Sequence, residues 1–119
     1  MVIERKSWNE AENECAKNGA HLASIHSDEE MVFVGKLHGP NEVYNTWLGG
    51  YRDGKSFNWT DGTSLNYENW NSGEPNNSGG KENCIEWYFT PAESKHNKWN
   101  DIPCDIQNRV GRYLCKRDK

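Results

Sequence analysis

Four cysteines constrain this 119-residue chain more than any other feature. Cys15, Cys84, Cys104 and Cys115 lack the short Cys-x-x-Cys spacing of a zinc knuckle or a redox motif. Their spacing favours two long-range disulfide bonds, and the residues alone leave all three pairings open. A bond between Cys15 and Cys115 would cross-link nearly the whole chain and stabilise it by about 4 to 5 kcal/mol. Because disulfides persist outside the reducing cytosol, we expect an extracellular protein, with four buried free thiols as the alternative.

The composition indicates one globular domain that is rich in aromatic side chains. Only 34% of the residues are apolar, which alone would suggest disorder, but 6 Trp, 5 Tyr and 3 Phe supply large rings to bury. The length suits a single domain over residues 1–119.

Charge and hydropathy exclude two classes of partner. The net charge is -4, and no stretch clusters the basic residues that a phosphate backbone requires, so we expect no nucleic acid. No run approaches the roughly 20 apolar residues of a membrane span, so we expect no membrane insertion. Residues 1–5 lack the apolar segment of an export signal, which is therefore expected to have been removed or to belong to a longer precursor.

Two capping boxes predict two helices in the first third of the chain. The first box spans residues 7–10 and is followed by apolar residues at helical spacing, with a stop at Gly19. The second box spans residues 27–30 and opens an apolar face that ends at Gly39-Pro40. The apolar positions are Trp8, Ala11 and Cys15 in the first segment, and Met31, Val34 and Leu37 in the second.

The remainder of the chain has the pattern of strands and loops. Short strands are predicted over residues 46–48 and 57–60, a half-buried strand over 85–89, and a final strand over 110–115. The polar stretch 67–81 is too poor in apolar residues to form a core of its own. Helices followed by antiparallel strands predict the α+β class.

Oxygen-bearing side chains concentrate in two loop segments. Glu74 and Asn76 flank Pro75 ahead of Glu82, and Asn100-Asp101 follow further along the chain. Three carboxylates and two amide carbonyls suit a hard cation such as Ca²⁺, which prefers six to eight oxygen ligands, rather than zinc. Solvated acidic loops are an equally good interpretation on the residues alone.

The order of these features resembles a C-type lectin domain of the mannose-type subgroup, in its short form, over almost the whole chain. The matching motifs are Trp8 and Cys15, Trp47-Leu48-Gly49-Gly50, Trp59-Thr60-Asp61-Gly62-Thr63, Asn69-Trp70, Glu74-Pro75-Asn76, Glu82-Asn83-Cys84, Trp99-Asn100-Asp101 and Tyr113-Leu114-Cys115. The resemblance implies a C-type lectin-like fold with two helices, antiparallel sheets and a long calcium-binding loop. It also implies the disulfides Cys15–Cys115 and Cys84–Cys104, and a cis bond before Pro75.

The resemblance further implies one principal Ca²⁺ site that also binds sugar. Its residues here would be Glu74, Asn76, Glu82, Asn100 and Asp101, with Asp101 coordinating through side chain and backbone. Two vicinal sugar hydroxyls would complete the calcium shell and exchange hydrogen bonds with the Asn amides and Glu carboxylates. The Glu-Pro-Asn order implies equatorial 3- and 4-hydroxyls, as in mannose, GlcNAc, glucose or fucose, whereas galactose-type relatives carry Gln-Pro-Asp.

The chain departs from the family pattern in two places. Members with a second calcium ion use further acids in the loop after the Trp-x-Gly segment and beside the principal ligands. This chain has only Tyr51-Arg52-Asp53-Gly54-Lys55 in that loop, which is shortened, with Asn77 and Asn83 where an Asp is common. A second ion is therefore doubtful. The segment Thr90–Lys98 is longer than in many relatives, and its effect on sugar preference is open.

Other functions remain as alternatives. A glycoside hydrolase could use Glu74, Glu82 and Asp101, but no further catalytic motif supports an enzyme, and we expect none. A calcium-stabilised protein-binding or ice-binding module on the same fold is the alternative to sugar binding. The expected partners are mannose-type glycans on glycoproteins or cell surfaces, with homo-oligomers a possible source of avidity because a single sugar site is weak.

Overall fold

The computed structural model describes residues 2–3, 6–35, 45–54, 56–70, 73–75, 77–87, 98–106 and 110–117. Within these ranges lie two α-helices and eight β-strands. They are β1 (Val2–Ile3), α1 (Trp8–Lys17), β2 (His21–Leu22), α2 (Asp28–Gly35), β3 (Asn45–Asp53), β4 (Ser56–Trp59), β5 (Cys84–Trp87), β6 (Trp99–Ile102), β7 (Val110–Tyr113) and β8 (Cys115–Lys116). The predicted α+β class is confirmed. No helix in the described ranges is long and apolar enough to cross a membrane.

Helix α1 forms as its capping box predicts. The Ser7 hydroxyl accepts a hydrogen bond from the Glu10 backbone N–H (3.3 Å), and the Glu10 carboxylate accepts one from the Ser7 backbone N–H (2.9 Å). These bonds satisfy two donors that a helix start leaves unpaired. Trp8, Ala11 and Cys15 are buried on one face, as their spacing predicts.

Helix α2 is capped differently from the prediction. The Ser27 hydroxyl accepts from the Glu30 backbone N–H (3.1 Å), but the Glu30 carboxylate reaches one residue further back, to the backbone N–H of His26 (2.8 Å). Met31 and Val34 are buried as predicted. The predicted Leu37 contact and the predicted stop at 39–40 lie outside the described residues.

One mixed sheet forms the centre of the molecule, with strand order β1-β7-β3-β5-β6 and β4 paired to β3. The first half of β3 lies between β7, to which it is parallel, and β5, to which it is antiparallel. Its second half pairs with β4, from Gly50 opposite Trp59 to Asp53 opposite Ser56. Strands β2 and β8 form a separate two-stranded sheet.

Strand β3 is longer than the strand predicted over residues 46–48. It continues through Gly49 and Gly50 because other elements pass close to the backbone there. A Cβ at Gly49 would lie 2.3 Å from the Leu22 carbonyl oxygen, and one at Gly50 would lie 2.2 Å from Cδ1 of Ile85. The glycine pair therefore permits close packing inside the strand.

Two other strand predictions need correction. The strand predicted as half-buried is β5, and all four of its residues are buried, including Glu86, because β5 lies between β3 and β6. Residues 88 and 89 lie outside the described ranges. The predicted final strand divides at Leu114, so that β7 joins the large sheet and β8 pairs with β2.

Both implied disulfides are present. Cys15–Cys115 joins α1 to β8 with a Cα–Cα distance of 5.5 Å, and Cys84–Cys104 joins β5 to the turn after β6 with a Cα–Cα distance of 5.2 Å. The first links the two ends of the fold. The second holds the residues just after Glu82 close to the strand that carries Asp101.

Two apolar clusters pack against the large sheet. The first contains α1 and Trp47, whose indole N–H donates to the Lys6 carbonyl (2.8 Å). The second contains α2 and a group of aromatic rings around the fully buried Trp99. The ring centroid of Trp99 lies 5.5 Å from that of Trp59 and 5.7 Å from that of Trp70, in edge-to-face geometry.

Candidate functional site

The candidate site lies where residues 73–87 meet β6. The implied cis peptide bond between Glu74 and Pro75 is confirmed. Glu74 is half-buried, and its Oε1 atom is fully buried. Asn76, the next predicted ligand, lies outside the described residues.

Asn77 connects Glu82 to Asp101. Its backbone N–H donates to Oδ2 of Asp101 (2.8 Å), and its side-chain Oδ1 accepts from the backbone N–H of Glu82 (3.0 Å). The residue adopts a left-handed conformation with φ of 46°, which Asn tolerates better than most residues. This turn brings two segments with predicted ligands into contact.

Arg52, at the end of β3, contacts the same two residues. Its Nη2 donates to Oδ2 of Asp101 (3.0 Å) and to the backbone carbonyl of Glu82 (3.1 Å), and its Nε donates to that carbonyl as well (3.3 Å). The Asp101 side chain is 0% exposed and that of Arg52 is 16% exposed, so solvent screens this ion pair little. The guanidinium carbon lies 4.5 Å from the ring centroid of Phe57.

Asn100 is held by a buried carboxylate on the neighbouring strand. Its Nδ2 donates to Oε2 of Glu86 (2.8 Å), and Nδ2 of Asn45 donates to Oε1 of the same residue (2.9 Å). Glu86 is 0% exposed. Because the amide nitrogen of Asn100 makes this bond, the amide orientation is fixed and Oδ1 is the amide atom that can accept a hydrogen bond or bind a cation.

The donor set fits a hard cation. Glu74, Glu82, Asn100 and Asp101 all offer oxygen, the ligand atom that Ca²⁺ prefers. Within the described ranges, no group of three or more His, Cys, Asp or Glu side chains is close enough to hold a metal ion. The described hydrogen bonds join the backbone of Glu82 to the Asp101 carboxylate through Arg52 and Asn77, and Asn100 directly precedes Asp101 on β6. Their assignment as calcium ligands stays a prediction.

Three residues that position the site were not singled out from the sequence. Arg52 and Asn77 entered only as departures from the family pattern, and Glu86 only as a polar position in a strand. The sequence did contain a signal for Glu86, which is an acid within the otherwise apolar and aromatic residues 84–89. An acid in such a strand is buried only when it is paired, so a polar partner could have been expected. Arg52 gave no comparable signal, because its contact with Asp101 joins residues 49 apart in sequence.

The chain belongs to the C-type lectin domain family. The family model described as "Lectin C-type domain" matches residues 4–117. Among curated relatives, the lactose-binding lectin l-2 of Anguilla japonica is 42% identical over 110 residues, which cover 88% of this chain and 64% of that lectin. The chain covers 64%, 55% and 68% of the length of three other curated relatives, a lectin of Pleurodeles waltl, the ladderlectin of Oncorhynchus mykiss and a C-type lectin of Cerberus rynchops.

Solved structures share the fold as well. The cow C-type carbohydrate-recognition domain of CD23, determined in the presence of a GlcNAc2Man3 oligosaccharide, is 30% identical with a TM-score of 0.81, over 98% of this chain and 84% of that one. A calcium-independent type II antifreeze protein is 27% identical with a TM-score of 0.78, over 97% of this chain and 82% of that one. The predicted C-type lectin-like fold is therefore confirmed.

Proposed function

We propose that this chain is a calcium-dependent carbohydrate-binding domain. The observation that supports the proposal is the set of hydrogen bonds through which Arg52 and Asn77 join the backbone of Glu82 to the Asp101 carboxylate. Membership of the C-type lectin family supports binding of carbohydrate in general. The family consists of binding modules, so we propose no catalytic activity.

In the proposed mechanism, the chain supplies a rigid set of oxygens. Glu74, Asn76, Glu82, Asn100 and Asp101 would hold one Ca²⁺, which when bound coordinates two vicinal sugar hydroxyls. The Asn amides would donate hydrogen bonds to these hydroxyls, and the Glu carboxylates would accept hydrogen bonds from them. Glu86 would keep Oδ1 of Asn100 in position by binding its amide nitrogen.

We propose a preference for mannose, GlcNAc, glucose or fucose. The Glu-Pro-Asn order of residues 74–76 supports it, as does the mannose-containing oligosaccharide present with the cow CD23 domain. The eel relative is named a lactose-binding lectin, so a galactose-type preference is the second candidate. The Glu74 and Asn76 side chains decide between the two candidates.

A calcium-stabilised ice-binding or protein-binding module is the further alternative. Its support is the structural likeness to a calcium-independent antifreeze protein. If this alternative held, the chain would bind no sugar in the presence or absence of calcium.

In either case we propose an extracellular location, because Cys15–Cys115 and Cys84–Cys104 persist only outside the reducing cytosol.

Calcium titration of the metal-stripped protein by calorimetry tests the metal part of the proposal. The wild type should bind one Ca²⁺, and Glu82→Gln and Asp101→Asn should each weaken that binding by at least about a hundredfold, because each removes a charged ligand. Glu14→Gln is the matched control, since Glu14 pairs with Lys17 on the exposed face of α1. No calcium binding by the wild type, or equal affinity in all variants, would contradict the proposal.

Exchange of the selectivity residues tests the sugar part. The double substitution Glu74→Gln with Asn76→Asp reproduces the galactose-type order and should shift the preference from mannose to galactose. Inhibition of binding to a glycan array by each free monosaccharide measures the ranking. An unchanged ranking in the double variant would show that residues 74 and 76 do not set the preference.

A further inference from the structure

Arg52 belongs to residues 51–55, the segment in which other members of the family carry acids for a second calcium ion. Its guanidinium and the backbone N–H of Asn77 both donate to Oδ2 of Asp101. The guanidinium donates to the Glu82 carbonyl and to the Asp101 carboxylate. A fixed positive charge therefore contacts both segments that carry predicted ligands.

The surroundings of Arg52 favour a fixed position. Its side chain is mostly buried, its guanidinium carbon lies over the Phe57 ring, and its backbone N–H donates to the Asn83 carbonyl (2.7 Å). The planar guanidinium presents several donors in a rigid geometry that a lysine ammonium cannot reproduce. Arg52 thus contacts Glu82 and Asp101 at the same time from the end of β3.

We propose that Arg52 is a positioning residue that joins the Asn77–Glu82 segment to Asp101 in the metal-free protein, and so keeps the calcium site ordered before calcium binds. The inference rests on the proposed function only in that these residues hold calcium. Its expected consequence is that the two segments stay joined when calcium is removed. A second consequence is tighter calcium binding, because less ordering remains to occur on binding.

Hydrogen exchange at two amides tests the first consequence directly. The N–H of Asn77 donates to Asp101, and the N–H of Glu82 donates to Asn77, so both report whether the segments are joined. In EDTA, both amides should be protected in the wild type and should exchange at least about tenfold faster in Arg52→Met. Arg52→Lys should fall between the two, because it keeps the charge but loses the planar fork.

Lys116→Met is the matched control. Lys116 forms a partly buried ion pair with Glu30 (2.7 Å) next to α2, so its loss also removes a cation from an ion pair. In this variant the amides of Asn77 and Glu82 should exchange as in the wild type. Rapid exchange of both amides in the metal-free wild type, or unchanged exchange in Arg52→Met, would overturn the proposal.

The calcium affinity of the same variants separates positioning from simple charge. Loss of a nearby positive charge would by itself strengthen the binding of Ca²⁺. Weaker binding in Arg52→Met, by about tenfold, is the expected result and reports positioning. Equal or tighter binding would overturn this second consequence. If the wild type binds no calcium, the proposed function fails, whereas the exchange experiment in EDTA still decides the role of Arg52.

Discussion

The body of the fold and the ligand-bearing segments are held together by different forces. In the body, α1, α2 and the large sheet bury two apolar clusters, and Cys15–Cys115 joins its ends. In the ligand-bearing segments, defined as residues 73–75, 77–83 and 100–101, Arg52, Asn77 and Glu86 make the connecting contacts through charges and hydrogen bonds. Apolar burial tolerates small shifts, whereas these polar contacts depend on the position of individual atoms.

Because of this difference, we expect substitutions in the two regions to affect the free energy of unfolding and the calcium affinity to different extents. Substitutions in the body should change the free energy of unfolding and leave the calcium affinity of the folded protein unchanged. Substitutions that disturb the ligand-bearing segments should lower the calcium affinity as well. The two disulfides and the buried tryptophans Trp47 and Trp99 each offer a matched pair for testing this separation, and the buried Glu86 is compared with the exposed Glu14.

The disulfides should give the largest effect. Replacement of Cys15 and Cys115 by Ala opens a loop of 100 residues and should lower the free energy of unfolding by about 4 to 5 kcal/mol. The calcium affinity of the remaining folded protein should not change. Replacement of Cys84 and Cys104 opens a loop of 20 residues, and should cost about 3 kcal/mol and also weaken calcium binding. Urea unfolding and calcium titration measure both quantities, and equal calcium affinities in the two double variants would contradict the separation.

Trp99→Ala should affect both properties, because Trp99 is fully buried and directly precedes Asn100 and Asp101. Loss of its ring should cost about 3 to 5 kcal/mol of stability and also weaken calcium binding. Trp47→Ala is the matched control in the other apolar cluster and should cost a similar amount of stability. If Trp47→Ala weakened calcium binding as much as Trp99→Ala, the two regions would not be independent.

Glu86→Gln should mainly affect calcium binding. The buried carboxylate accepts from the amides of Asn45 and Asn100, and a glutamine would turn its own amide nitrogen toward one of these donors. The expected cost is about 1 to 3 kcal/mol of stability, and calcium affinity should fall by about tenfold as Asn100 loses its orientation. The exposed Glu14→Gln should change neither quantity in thermal unfolding or calcium titration. Full calcium affinity in Glu86→Gln would show that Asn100 needs no such support.

The smallest effect should come from acid titration of the body. Burial raises the pKa of Asp61, but hydrogen bonds from Ser24 and Thr63 outweigh it and hold the pKa below the ordinary 3.8. A lowered pKa in the folded state stabilises the protein above the unfolded-state pKa, and this stability is lost as the pH falls below about 4. Asp61→Asn should lower stability at pH 7 by about 1 kcal/mol and flatten its dependence on pH below 4. If thermal unfolding of Asp61→Asn showed the same pH dependence of stability as the wild type below pH 4, Asp61 would not contribute to the loss of stability in acid.

Local signals in the sequence predicted most of the body. The Ser7 and Ser27 hydroxyls cap the two helices through contacts three residues apart, so these caps can be recognised in the chain itself. The disulfide pairing could not be deduced in that way, and it followed from the family resemblance. The length of β3 depended on how closely Leu22 and Ile85 approach Gly49 and Gly50, which no local pattern reveals.

The candidate site was predicted less completely. The resemblance supplied its ligand set, and the contacts of Glu82, Asn100 and Asp101 are now visible. The residues that position them come from distant parts of the chain: Asn45 contacts Glu86 from 41 residues away and Arg52 contacts Asp101 from 49. Such pairs depend on the register of β3 against its neighbours, so the sequence alone could not predict them.

Retention on immobilised sugar tests the central claim most directly. The protein is applied in calcium to parallel columns of mannose and galactose and then washed with EDTA. We expect retention on mannose, release by EDTA and no retention on galactose. Absence of retention on both columns by a protein that binds calcium would contradict carbohydrate binding, and retention on galactose alone would contradict the preference assigned to Glu74 and Asn76.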